Sequence, residues 1–258
     1  MMPPPMKRGF RSILCAVDFS PPSAKALRYA AALARACGGR VTAIYAADPL
    51  LTAAVVTAYD SHVLERDALA DLEKFVRASV PGTPARVDIR SVVQVGAPGP
   101  VVLAFARRTR ASIIVIGTHG RRGVAKLFFG STTEAVMRRF RGPVLAIPPR
   151  CSEPGAGWPG GSIIAAIDAG AHRRSALSAA ARMAEAFGAW LSVVPATPAS
   201  VIRRGTRMVI LPLPAAARLR MFRQGSAAYR FISGARSPVL VLHGRTRLGT
   251  VIRPSRAA

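Results

Sequence analysis

Apolar and polar residues alternate in blocks through the first half of this chain, and each block has the length of a strand or a helix. Short apolar runs and one alternating segment predict strands at residues 12–17, 41–47, 86–95, 112–116 and 142–148. Between them, apolar residues at helical spacing predict helices over 23–37, 59–80 and 100–109 and from residue 132. Strands that alternate with helices predict a parallel α/β sheet with helices on both faces.

The pattern then restarts in shortened form. Ser162–Asp168 repeat Ser12–Asp18 at a shift of 150 residues. Three later segments repeat first-half segments at a shift of 95: residues 208–211, 225–226 and 237–242 against 113–116, 130–131 and 142–147. The difference of 55 residues predicts a second copy that lacks the long helix, the third strand and most of the third helix.

This repeat divides the chain into a first domain, a linker and an abbreviated second domain. The expected bounds are residues 10–150, a Gly/Pro-rich linker over 151–161, the second domain over 162–244 and a basic tail over 245–258. Val144–Ile147 and Val239–Leu242 are apolar terminal strands whose edges need cover. We therefore expect the two domains to pack against each other, and self-association of the chain stays open.

A loop that contains several glycines follows the apolar strand at 112–116. It begins with Gly117-Thr118-His119-Gly120 and ends, nine residues later, with Gly130-Ser131 at the start of a helix. The free N–H groups of a first helical turn bind anions, and glycines let the backbone approach a phosphate closely. The alternative is a loop that only turns a corner, with Gly130-Ser131 as an ordinary helix cap.

The location of this loop favours a ligand site. Ligands of open α/β sheets bind outside the carboxyl ends of the strands, near the point where the strand order reverses. Gly117 follows one such strand end, and Asp18 follows another.

As a set, three motifs resemble the universal stress protein family: the strand ending in Asp18, the G-x2-G-x9-G-S spacing from Gly117 to Ser131, and the Gly-Pro-Val-Leu strand. The resemblance covers residues 10–148 fully and 160–243 in abbreviated form. It implies an open, five-stranded parallel sheet, Rossmann-like and akin to adenine-nucleotide alpha-hydrolase domains, repeated in tandem with a truncated second copy. Members with this glycine pattern bind ATP and others do not, so an ATP-binding sensor or regulatory adaptor of the stress response is implied.

The resemblance also implies roles for individual residues. Asp18 would contact the nucleoside or its Mg²⁺, and the backbone of Ala46 would contact the adenine edge. Gly117 would pass under the ribose and Gly120 would let the loop approach the triphosphate. Phosphate oxygens would be held by Gly130, Ser131 and Thr132.

Other residue roles keep alternatives. His119, Arg121 and Arg122 lie inside the loop, where they could neutralise phosphate charge, but Arg122 fits a solvated loop residue equally well. Asp18 could instead cap a helix that begins near Pro21.

The second copy departs from the motif. It keeps Asp168, Gly225 and Ser226, but Pro212 stands where the first copy has Gly117, and Ala215 stands where it has Gly120. Proline fixes φ and lacks an N–H donor, and the Cβ of alanine crowds an approaching phosphate. One nucleotide site is therefore expected, with the second copy as a structural half that replaces the partner subunit of single-domain relatives.

The formal net charge of +25 is distributed over both halves. Such a charge attracts nucleic acid or other polyanions through a field that salt weakens. Few aromatic residues lie near the basic runs, so a nucleic-acid interface is not favoured, although a general anion binder remains an alternative.

Nothing in the sequence favours catalysis. The four histidines have no metal-ligand spacing, and no nucleophile motif is present, so slow ATP hydrolysis is the most that is expected. The same fold without nucleotide, as an interaction or stability module, is the nearest alternative.

Compartment and cysteine chemistry follow from composition. Three cysteines without CxxC spacing favour a reducing compartment, and no apolar run could span a membrane or form a signal peptide. A cytoplasmic protein is expected, with Cys15 in the core, Cys37 potentially exposed at a helix end and Cys151 exposed in the linker.

Overall fold

The computed structural model describes residues 9–47, 61–82, 87–119, 130–168, 172–197, 205–213 and 226–243, with the side chains of residues 61–64 outside the description. The strands in these ranges are β1 (Ser12–Val17), β2 (Arg40–Ala47), β3 (Ile89–Val95), β4 (Ile113–Gly117), β5 (Val144–Ile147), β6 (Gly161–Ala166), β7 (Ala189–Val194), β8 (Met208–Leu213) and β9 (Val239–His243). The helices are α1 (Pro21–Cys37), α2 (Ser61–Ser79), α3 (Pro98–Arg108), α4 (Ser131–Arg139), α5 (Arg173–Ala186) and α6 (Ala227–Gly234).

Each first-half strand predicted from the sequence is present, with ends that differ by at most three residues. Local chemistry fixes the bounds of α1. The side chain of Ser20 accepts a hydrogen bond from Ser23 N–H at the start, and Pro21 and Pro22 fit the first positions of a helix. Gly38, with φ of 60°, ends the helix in the left-handed conformation that glycine adopts without steric cost.

The strands form one sheet in the order β3-β2-β1-β4-β5-β9-β8-β6-β7. All neighbours are parallel except β5 and β9, which are antiparallel. In the first half the chain builds outward from β1 to β3, and then returns to the other side of β1 with β4. The strand order therefore reverses between β1 and β4, which is where sheets of this kind bind ligands.

Two hydrophobic cores lie on opposite faces of the sheet. Buried residues of α1, α2 and α5 pack on one face, including Leu33, Leu72 and Met183. Buried residues of α3, α4 and α6 pack on the other, including Phe105 and Met137. The predicted α/β architecture with helices on both faces is confirmed.

The strand registers repeat at the shifts seen in the sequence. Ser12 pairs with Arg40 in the first half, and Ser162 pairs with Trp190 in the second, so both partners shift by 150. The β4–β5 and β8–β9 ladders repeat in the same way at a shift of 95, as in the pairs Ile114–Val144 and Val209–Val239. This nine-stranded sheet is consistent with a tandem repeat.

The segment between the two halves, residues 151–160, forms no strand but packs on α1. Lys25 donates to the carbonyl oxygens of Pro149 at 3.1 Å and Cys151 at 2.6 Å. Arg28 binds both carboxylate oxygens of Glu153, at 2.5 and 2.9 Å. The segment is therefore held in place by α1 side chains.

The prediction that Cys151 is exposed is wrong. Its side chain is buried beneath α1, with Tyr29 Oη 3.1 Å from its Sγ, and burial raises the pKa of its thiol to about 11. Cys37, for which the sequence left exposure open, is buried too, and burial raises the pKa of its thiol to about 11. Cys15 lies in the core, as predicted.

Among the described residues, no helix combines the length and apolar character that crossing a lipid bilayer requires.

Candidate functional site

The candidate site lies at the carboxyl ends of β1, β2 and β4, on both sides of the strand-order reversal. Asp18 follows β1, and Gly117 is the last residue of β4. The β1–β2 ladder ends at the Val17–Tyr45 pair, whereas the β2–β3 ladder continues to Ala47. Ala46 thus lies one residue beyond the last β1 pair, beside the start of the loop that contains Asp18.

Asp18 begins the turn between β1 and α1. Its Oδ1 accepts hydrogen bonds from Ser20 N at 3.1 Å and from Ser20 Oγ at 2.5 Å. Ser20, not Asp18, caps α1, so the interpretation of Asp18 as the helix cap is wrong. The partly buried carboxylate is instead held at the strand end by the capping residue itself.

Phe19, next to Asp18, was missed by the sequence analysis. Its φ of 62° lies in the left-handed region, which a bulky residue rarely adopts. Its ring packs edge-on against Tyr45 of β2 and Phe75 of α2, with centroid distances of 4.7 and 5.4 Å. These aromatic contacts stabilise a strained turn beside the site, a feature that nothing in local sequence spacing signals.

Gly117 allows β4 and α1 to approach each other closely. A Cβ at this position would lie 3.0 Å from the carbonyl oxygen of Pro22 and 3.1 Å from its carbonyl carbon. The immediate reason for glycine here is therefore the packing of the strand end against the first turn of α1.

Hydrogen bonds close the base of the glycine loop. Thr118 N–H donates to Ile147 O at 3.1 Å, and Gly130 N–H donates to Thr118 O at 3.1 Å. Thr133 Oγ1 donates to Gly117 O at 2.8 Å, which joins the start of α4 to the end of β4. Gly130 N–H, assigned to phosphate by the resemblance, thus has a protein acceptor here.

The first turn of α4 offers backbone N–H groups that no acceptor within the helix uses. Gly130 is its N-cap and supplies no side-chain cap, and helix geometry leaves the N–H groups of Ser131, Thr132 and Thr133 without acceptors in the helix. Ser131 is exposed and Thr132 half-buried. Glu134 in the same turn pairs with Arg138 at 3.2 Å, which offsets its negative charge.

His119 lies at the start of the loop with its Nδ1 2.9 Å from Thr118 Oγ1. Burial lowers its pKa below the ordinary value of 6.5. Burial thus favours the neutral imidazole, which can serve as a hydrogen-bonding group. Gly120, Arg121 and Arg122 lie outside the described residues, as do Ala215 and Gly225 of the second half.

The equivalent groups of the second half have different protein partners. Asp168 Oδ1 accepts a hydrogen bond from Ala196 N–H at 3.0 Å, and these residues are the equivalents of Asp18 and Ala46 at the shift of 150. Ser226, equivalent to Ser131, is the N-cap of α6 and accepts from Tyr229 N–H at 3.3 Å. Pro212 lies within β8, at the position of Gly117.

The described residues contain no cluster of three or more His, Cys, Asp or Glu that could hold a metal ion by itself.

Comparisons with known proteins agree with this fold. A Thermus aquaticus protein named "Universal stress protein in QAH/OAS sulfhydrylase 3'region" is 29% identical over 138 residues, which are 54% of this chain and 98% of that protein. The solved structure of a universal stress protein from Archaeoglobus fulgidus aligns with a TM-score of 0.61 at 14% identity, over 90% of this chain and 98% of that one. A functionally unknown Pseudomonas aeruginosa protein aligns with a TM-score of 0.61 at 16% identity, over 91% of this chain and 93% of its own.

The two structural likenesses extend the shared fold over both halves of the chain. Residues 9–148 match the model of the Universal stress protein family. Because that match covers more than half of the chain, the protein belongs to the universal stress protein family.

Proposed function

We propose that this protein binds one ATP molecule at the carboxyl ends of β1, β2 and β4, and acts as a sensor or regulatory adaptor in the stress response. The observation that carries the proposal is the start of α4. Its first turn lacks a side-chain cap and lies at the strand-order reversal, where a phosphate would complete it.

The residues present suit a nucleotide. The N–H groups and hydroxyls of Ser131 and Thr132 would hold phosphate oxygens, and Gly120 would leave room for them. Asp18 would contact the ribose or, together with phosphate oxygens, a Mg²⁺ ion, since carboxylate and phosphate oxygens are the ligands that Mg²⁺ prefers. The backbone of Ala46 would contact the adenine edge.

Charge supports the same assignment. Arg121 would neutralise part of the charge of a triphosphate, and His119 would hydrogen-bond to it. We assign no catalytic residue, so the bound state of ATP, rather than its hydrolysis, is the signal in this proposal.

We further propose that residues 10–150 are the nucleotide domain, 151–161 a linker, 162–244 a degenerate second domain and 245–258 a basic tail. The second domain would stabilise the first in place of a partner subunit. The antiparallel β5–β9 pairing supports this division, as does the side-chain cap that Ser226 supplies to α6, since α4 has no side-chain cap.

A matched pair of serines tests the proposal. In a thermal-shift titration with Mg·ATP, the wild type should be stabilised by about 2.7 kcal/mol at a hundredfold excess over Kd. Ser131→Ala should reduce this shift without changing the stability of the unliganded protein, because Ser131 caps nothing. Ser226→Ala should lower stability by about 1 kcal/mol, through loss of a cap, and leave the ATP shift unchanged.

Other outcomes separate the alternatives. No shift at millimolar ATP would contradict ATP binding and favour a fold that acts without nucleotide. An ATP shift that is unchanged in both Gly130→Val and Ser131→Ala would contradict phosphate binding at the start of α4. DNA or RNA binding that falls steeply with salt and survives Ser131→Ala would instead favour a general anion binder.

A further inference from the structure

The edge strand β7 is unusually exposed for its place in the repeat. It is the last strand of the sheet on the side of the second half. Its equivalent, β2, is covered by β3 along the whole segment Val41–Ala47. No described strand takes the place of β3 beside β7, because the second copy lacks that part of the sequence. Among the described residues, the outer N–H and C=O groups of β7 therefore have no partner strand and can serve as a template for another strand.

Two apolar side chains of β7 are exposed. Trp190 is 84% exposed and Val193 is 42% exposed, which makes them two of the three exposed large hydrophobic residues among the described ones. The strand Ala189–Val194 carries no charged residue in a chain whose net charge is +25. The opposite edge, β3, differs because it carries the exposed Arg90, a charge that opposes edge pairing.

We propose that β7 joins the β7 strand of a second copy of this chain, in antiparallel pairing, to form a dimer whose sheet continues through both molecules. A two-fold axis through Ser192 puts Trp190 opposite the partner's Val194, and Leu191 opposite the partner's Val193. Each pair lies on one face of the sheet, as directly opposed residues of antiparallel strands do. This register covers both exposed hydrophobic side chains.

The chain itself contains a precedent for this geometry. Its β5 and β9 strands are equivalents in the repeat, and they pair antiparallel with Leu145 opposite Leu240. An isologous junction of this type closes after two copies, whereas pairing of β7 with β3 of another molecule would leave free ends and give a polymer.

Electrostatics gives the proposal a distinctive signature. Two molecules of charge +25 repel each other, but the strands that meet are uncharged. Added salt therefore strengthens this dimer, because screening reduces the long-range repulsion. A complex with an acidic protein or a nucleic acid would weaken instead.

Sedimentation equilibrium and tryptophan emission test the dimer on the full chain, from low salt to about 1 M, where the Debye length is about 3 Å. The chain has two tryptophans, and Trp158 is already buried, so a concentration-dependent blue shift reports on Trp190. Val193→Lys should abolish the dimer and the blue shift, and Trp190→Lys should abolish the dimer. Val95→Lys is the matched control, since Val95 is 40% exposed on the opposite edge, and it should leave the dimer intact.

A wild type that stays monomeric at high salt would overturn the proposal. So would open-ended polymers, a dimer that dissociates as salt is added, or a dimer equally sensitive to Val95→Lys and Val193→Lys. These readouts need no nucleotide, so they are independent of ATP binding.

Discussion

Leu145 of β5 lies directly opposite Leu240 of β9, and the two are equivalent residues of the repeat, 95 positions apart. The flanking residues follow the same rule. Val144 pairs with Val241 and Ala146 pairs with Val239, and the shift of 95 residues converts each of these pairs into the other. A surface that meets its own equivalent in this way is the signature of a two-fold dimer interface. Here it lies within one chain.

This relationship predicts what removal of the second half does. A fragment of residues 1–160 keeps the linker contacts with α1 but exposes the apolar edge of β5. We expect the fragment either to dimerise through β5 or to melt more than about 5 °C below the full chain, measured by calorimetry and light scattering. A monomeric fragment as heat-stable as the full chain would contradict the packing role of the second half.

Gly117→Ala should destabilise the protein. The new Cβ would lie about 3 Å from backbone atoms of Pro22, which cannot rotate away, so we expect a loss of about 1–3 kcal/mol in the free energy of unfolding. Gly234→Ala is the control, because nothing lies within 4 Å of its added Cβ. Urea denaturation should show a change within about 0.5 kcal/mol for that variant. Equal stability of both variants would refute the close packing of β4 on α1.

Thr133→Val should affect both stability and binding. It removes the hydrogen bond to Gly117 O that joins α4 to β4, at a cost of about 1 kcal/mol, and it should weaken ATP binding because the first turn of α4 is less well positioned. Thr109→Val removes a side-chain bond of similar length, from Thr109 Oγ1 to Phe105 O at 2.9 Å, at the far end of α3. Because Thr109 is exposed, this variant should lose less stability than Thr133→Val, and its ATP affinity, measured by calorimetry, should stay at the wild-type value. A loss of affinity in both variants would mean that stability alone governs binding.

His119 should make the protein less stable in mild acid. Its pKa is lowered in the folded state by burial, so the unfolded chain binds more protons as pH falls below 6.5. The free energy of unfolding should therefore decrease from pH 7 to pH 5 more in the wild type than in His119→Gln. Urea midpoints at the two pH values measure this difference. An equal pH dependence in both proteins would show that His119 is not desolvated.

The repeat made much of this fold predictable. The shifts of 150 and 95 residues between apolar runs correctly relate strands that have the same register in the two halves. Ser12 pairs with Arg40, for example, and Ser162 pairs with Trp190. Periodicity alone placed the first-half strands because buried parallel strands are continuous apolar runs bounded by turn residues.

Contacts between residues distant in sequence were not predictable. Cys151 is buried by Tyr29, 122 positions away, and no local pattern signals such a contact. At the candidate site, residue types indicated an anion-binding helix start, but not that Gly117 is needed for packing against Pro22 or that Thr133 bonds to it. A glycine or threonine at these positions can serve either ligand binding or packing within the fold. The spacing of residues in the sequence does not show which of the two roles applies.

Titration calorimetry of Mg·ATP with a matched pair of aspartates tests the central claim most directly. Wild type should bind one ATP per chain. Asp18→Asn, which keeps an oxygen acceptor for Ser20 but removes the charge, should bind at least about tenfold more weakly, a loss of about 1.4 kcal/mol. Asp168→Asn should bind like the wild type. Two sites per chain, no binding, or equal losses in the two variants would contradict a single nucleotide site in the first half.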